Sequence, residues 1–293
     1  MAAVGNRYVA VGIESENRRL PSAISIADSG DLEWRWQHPA DERGTTWAVT
    51  ALGADVVLVG SLRVDNQDGE TPWIARVDAN GETVWETFLW DEADDARLTT
   101  VTRGPDETVF VAGTSEGGEI GSFAVDDHDG DVQWRRTTDE TVSELEDVEA
   151  LGDGYALVGS RETDDGTAAW VGVLAQDGET VWTTTLTEER RTTGTSICET
   201  ADGGLLVGGE TRNDASRAWL AKLGGDAEVE DRWEMPSPSL PGWVTPFVAG
   251  IGIGGGVAGV LARRRSGATA SATAGASDQT DDPSNDANPK SSP

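Results

Sequence analysis

The 293-residue chain carries 53 Asp+Glu against 22 Lys+Arg, a formal net charge of −31, and Lys222 and Lys290 are its only lysines. Charge of this sign excludes nucleic acid as a partner, because phosphate contacts need Lys and Arg clusters. The same charge on a chain with 12 tryptophans and regular apolar strands excludes a disordered acidic protein. It points instead to a folded protein adapted to high salt, where self-repulsion is screened.

Taken in order, the chain opens inside a pattern. The apolar stretch YVAVG ends at Gly12, and setting Gly12 on the later Gly60 aligns Ala3 with Ala51, so Met1 falls within a first strand. The expectation is a first blade truncated at its amino terminus, with upstream sequence supplying the missing strand and a signal peptide. From Trp34 onward a period takes over. Tryptophans at Trp34, Trp85, Trp134, Trp182 and Trp233 follow at steps of 51, 49, 48 and 51 residues. The first four close the signature G-x-x-x-W, from Gly30, Gly81, Gly130 and Gly178, and the fifth copy is degenerate.

Each repeat of about 49 residues holds four short alternating segments. The first is TTWAVTAL in the second repeat, LTTVTR in the third, LEDVEAL in the fourth and GTSICET in the fifth. The next is an apolar strand ending in glycine: VVLVG to Gly60, VFVAG to Gly113, YALVG to Gly159 and LLVG to Gly208. The third carries Trp73, Trp170 or Trp219 at one equivalent position, for which the spacing gives Ser122 in the third repeat. These indoles read as packing between blades. A turn such as Asp78-Ala79-Asn80-Gly81 then leads into the strand that ends on the periodic tryptophan. Four strands per repeat at this period predict an all-β chain, a β-propeller of about five four-stranded blades over residues 1–235.

Few residues suggest chemistry. Cys198, the single cysteine, excludes an intrachain disulfide and reads as a half-buried strand residue. His38 and His128 lie in turn-rich segments without metal-ligand spacing. The densest acidic turn, Asp126 to Asp131, fits no EF-hand register because Gly130 falls in the wrong place, so it reads as a solvated hairpin tip. No nucleophile elbow, phosphate-binding loop or dinucleotide fingerprint occurs. No catalytic residue, cofactor or metal is assigned.

The pattern A-x-x-D-x-x-G-x-x-x-W, as in Ala75 to Trp85, resembles the tryptophan-docking repeat of propellers related to pyrroloquinoline-quinone (PQQ) dehydrogenases. The longer pattern is similar to a repeat found in many secreted prokaryotic propellers. The resemblance covers roughly residues 1 to 235 and implies the fold and a packing role for Trp34, Trp85, Trp134, Trp182 and Trp233. It does not extend to quinone chemistry: those enzymes use eight blades, calcium and commonly a disulfide of adjacent cysteines, whereas this chain has five repeats and one cysteine.

After Trp233 the composition changes. Residues 236–242 form a Pro/Ser linker, and Trp243 to Ala262 run for 20 residues without a charge, enough to cross the ~30 Å hydrocarbon core as one transmembrane helix. Arg263, Arg264 and Arg265 stand at its end as a basic stop, before a tail to residue 293 that reads as disordered. Pro241-Gly242-Trp243 and the arginines resemble a PGF-type sorting signal of archaeal surface proteins, with Trp for Phe and 28 residues after Arg265. The pairs Gly250/Gly254, Gly252/Gly256 and Gly255/Gly259 would admit a helix-mediated dimer. The sequence thus predicts a haloarchaeal-type surface propeller, outside the cell with its tail in the cytoplasm, binding a protein or surface polymer. An extracellular enzyme or quinone-dependent oxidoreductase using the central channel is the second reading.

Overall fold

A computed structural model describes residues 1–235 except 15–18, 40–42, 64–68, 90–95, 188–190, 213–215 and 226. The linker, the apolar stretch 243–262, Arg263 to Arg265 and the tail lie outside the described residues. Among the described residues no helix is long and apolar enough to cross a membrane.

Twenty strands form five sheets, each an antiparallel meander of four strands consecutive in sequence. The first sheet is β1 (Ala2–Val4), β2 (Arg7–Glu14), β3 (Leu20–Ala27) and β4 (Leu32–Gln37). The second is β5 (Arg43–Leu52), β6 (Asp55–Arg63), β7 (Thr71–Val77) and β8 (Thr83–Phe88). The third is β9 (Ala96–Arg103), β10 (Thr108–Ser115), β11 (Glu119–Asp126) and β12 (Val132–Thr141). The fourth is β13 (Glu144–Ala150), β14 (Gly154–Thr163), β15 (Gly166–Ala175) and β16 (Thr180–Leu186). The fifth is β17 (Thr192–Glu199), β18 (Leu205–Arg212), β19 (Ser216–Leu223) and β20 (Val229–Met235).

The sheets stack as blades, each on the next in chain order, with the first strands β5, β9, β13 and β17 packed beside one another on the inside. Both faces of the middle strands of the second, third and fourth blades are apolar because each of these blades has a neighbour on either side. In β6, Val56 and Leu58 face the first blade while Val57 and Val59 face the third, all fully buried. Four apolar clusters result, one for each junction from first–second to fourth–fifth. Trp73, Trp170 and Trp219 each lie in the cluster against the preceding blade.

Pairing corrects two alignments made from sequence. Trp73 stands opposite Gly60 and Trp170 opposite Gly159, but Trp219 stands opposite Gly209 rather than Gly208. In the third blade Gly113 is paired with Gly121, so Gly121 and not Ser122 holds the tryptophan position. In the third blade the cause is the following turn. Gly81 donates its N–H to Asp78 three residues back, whereas Gly130 donates to Asp126 four residues back. One extra residue in that hairpin shifts every count made back from its glycine.

Candidate functional site

The inner strands share an irregularity that the sequence reading lacked. The pairing of β5 with β6 slips between Thr46 and Ala48, leaving Trp47 out of register. The slips between β9 and β10, β13 and β14, and β17 and β18 likewise set apart Thr99, Glu146 and Thr195. These are β-bulges, which re-aim a side chain away from the regular alternation. The glycine of each second strand makes room for them. A methyl group at Gly60, Gly113, Gly159 or Gly209 would collide with the carbonyl oxygen of Thr45, Arg97, Glu144 or Thr193 respectively. The scaffold repeats, while the bulged residue is Trp in the second blade, Glu in the fourth and Thr in the third and fifth.

Each bulge residue has its own surroundings. Trp47 is 43% exposed and donates its indole N–H to Ser61 Oγ at 3.2 Å. Ser61 donates in turn to Glu70 Oε2 at 2.7 Å, which also accepts from Arg97 Nε at 3.1 Å. Thr99 Oγ1 donates across the junction to the Leu145 carbonyl at 2.7 Å, and Thr195 Oγ1 to the Gly208 carbonyl at 3.3 Å. Glu146 is the acidic member. Burial, followed by the charge and hydrogen bond of Glu144, pushes its carboxyl up to about 7. Burial also raises its neighbour Asp147 to about 6, against the pull of two backbone N–H donors. Those donors are Val148 N at 3.0 Å and Ile197 N, from the next blade, at 3.1 Å. Half-buried Cys198 sits nearby, its thiol pushed up by burial and then by Glu149 and Asp147, so the thiolate is disfavoured.

The chemistry of this inner face is therefore uneven. One side offers an exposed indole beside a polar chain; the other offers carboxyls that exchange protons near neutrality. Asp147 is committed to bracing β13 against β17. One signal for this patch was present in the sequence: Glu144 to Glu149 is the only first strand crowded with acids, beside TTWAVTAL, LTTVTR and GTSICET.

The acidic turn is a solvated tip only in part: His128, Asp129 and Asp131 are exposed. Asp127 is only 5% exposed, and its backbone carbonyl accepts from Arg76 Nη1 at 2.7 Å and from Trp85 Nε1 at 3.1 Å, both of the preceding blade. Arg76 is itself gripped by Asp55 Oδ2 at 2.7 and 2.9 Å. Asp126, Asp127 and His128 bring ligand-type atoms within 4.8 Å of one another, but His128 Nδ1 already lies 2.6 Å from Asp127 Oδ1. The turn serves as a latch between blades. His38 is likewise buried, in contact with Glu86 of the second blade and beside Trp73 at 5.2 Å between ring centroids.

The periodic tryptophans reach from blade to blade. The Trp34 ring lies against Gly81, where an added methyl would sit 3.0 Å from it; Trp85 covers Gly130 and Trp134 covers Gly178, at 2.7 and 2.5 Å. Trp182 packs partly buried on the fourth–fifth cluster. Here Ala227 takes the turn-glycine position with φ of 68° and donates its N–H to Gly224. Trp233 is 47% exposed.

No family model and no curated protein matches the chain. Solved structures do. The Dos1 propeller superposes with a TM-score of 0.51 at 10% identity, covering 80% of this chain and 61% of its own. An exo-β-1,3-galactanase described as putative, from Bifidobacterium bifidum, gives 0.51 at 11% identity, covering 81% of this chain and 90% of its own. The fold is a β-propeller. A quinohemoprotein alcohol dehydrogenase from Comamonas testosteroni gives 0.48 at 10% identity over 74% of this chain; this chain spans about half the length of that one, 51%.

Proposed function

We propose that this chain is a cell-surface binding module of a halophilic archaeon, a propeller held outside the membrane by a single helix over residues 243–262. The observation that carries the binding role is the set of bulge residues on the inner strands. A repeated backbone device presents Trp47, Thr99, Glu146 and Thr195, an indole, a carboxyl and two hydroxyls at one structural position. Scaffold regularity with varied presented residues suits recognition of an uneven partner, a protein or a surface polymer. The groups closest to reactive chemistry are already engaged: Asp147 by two backbone N–H groups, Glu146 by Glu144, and Cys198 by neighbours that disfavour its thiolate. The anchor, the cytoplasmic tail and the high-salt setting rest on the uncharged run, the arginine cluster and the −31 charge.

An extracellular enzyme is the second reading, favoured by the Glu146 carboxyl near 7, a value suited to a general acid or base. Co-sedimentation of the full chain with the surface-layer fraction of its own cells, in molar KCl, separates the two. Binding predicts that Trp47→Ala releases most of the retained protein while Val181→Ala, on the exposed rim, does not. Equal retention of both variants would remove the inner face from the binding role.

A further inference from the structure

Four junctions in this chain are built alike, and a fifth is left with both halves open. At each of the first three, a tryptophan on one blade's outermost strand covers the turn glycine of the next. Gly30 has the same turn as Gly81: Ala27 N–H donates to Asp31 and Gly30 N–H to Ala27, matching Asp78 to Glu82 and Gly81 to Asp78. Yet nothing lies within 4 Å of a methyl placed at Gly30. At the other end Trp233, in the place of Trp34, is 47% exposed. The receptor and the knob of one dock both stand empty. Among the described residues no contact like those of the four internal junctions joins the first blade to the fifth.

The faces around them match in the same way. On the second blade, Val56, Leu58, Ala75 and Val77 are fully buried beneath the first. By pairing, their counterparts on the first blade are Tyr8, Ala10, Ile24 and Ile26, joined by Leu32 opposite Ile26. Tyr8 is 41% and Leu32 49% exposed, with the other three half-buried. The fifth blade offers half-buried Leu206 and Leu220 beside Trp233. Two apolar faces of this kind mark an interaction surface.

We infer that the fifth blade of one copy docks on the first blade of a second copy, with Trp233 seated on Gly30, so that the chains associate head to tail. The occupant is a second copy because, among the described residues, the surface shaped like the missing partner of each face is the other face. Closing the gap within one chain would require all four packed junctions to change angle together, and close-packed interfaces resist such continuous deformation. The contact is heterologous, so it builds a ring or an open array.

Sedimentation velocity of the full chain in detergent, at roughly 2 M KCl to screen the charge, tests this. Wild type is expected to associate with rising concentration. Trp233→Ala is expected to weaken association at least about 30-fold, as loss of a central aromatic anchor does. Leu32→Arg, on the receptor face, is expected to do the same. Neither exposed residue supports a core, so both variants should melt as wild type does. Mixed one to one, the two variants retain one intact dock and are expected to stop at a dimer. A wild type that stays monomeric would overturn the inference. So would variants that associate like wild type, the result expected if the glycine-rich apolar stretch dimerises instead, or a mixture with no dimer.

Discussion

At the scale of single residues, the inner face explains a repeated feature. The glycine ending the apolar strand of the second, third and fourth repeats was legible as a repeat but not as a requirement, because the clash it avoids is with a carbonyl of the neighbouring strand, two residues before the bulge. Glu146 makes the pH dependence testable. Its folded carboxyl stands near 7, above the ordinary 4.5, so the folded state holds the proton more tightly than the unfolded chain. The stabilisation is fully present below about pH 4.5 and is lost as pH rises through about 7. Melting in molar salt should therefore fall between pH 5 and 8, and Glu146→Gln should flatten that slope. An unchanged slope in the variant would place the titration elsewhere.

At the scale of the strand and hairpin, the blade count and the four-strand repeat were readable because the period of the tryptophans survives loop variation. Register was not readable to the residue. The hairpin from Asp126 to Asp131 contains one residue more than that from Asp78 to Glu82, and a single insertion moves a counted position to the other face. The bulges were hidden for the same reason: a slip in pairing leaves alternation on either side intact. A pair of glycine variants separates bulge from strand. Gly159→Ala drives a methyl into the Glu144 carbonyl and is expected to cost about 1–3 kcal/mol, as overpacking does. Gly12→Ala meets nothing within 4 Å and is expected to be neutral or stabilising by up to about 1 kcal/mol. Chemical denaturation of the two reads the difference directly, and equal effects would contradict the role assigned to these glycines.

At the scale of the molecule, serial docking accounts for the arrangement: each blade is covered by the next, and the acidic surface stays outside the four apolar junctions. The inner-face acids were visible in sequence as composition alone, since 53 acidic residues make any one cluster unremarkable until pairing shows which strand faces inward. The proposed surface placement draws on the uncharged run Trp243 to Ala262 and on Arg263 to Arg265, which the positive-inside rule would keep in the cytoplasm. It is the claim on which the binding role depends, because a propeller inside the cell would meet a different set of partners. Protease applied to intact cells, with an epitope fused after Pro293, tests it most directly. The account predicts that the propeller is cut while the epitope stays protected; a protected propeller with a lost epitope would contradict it.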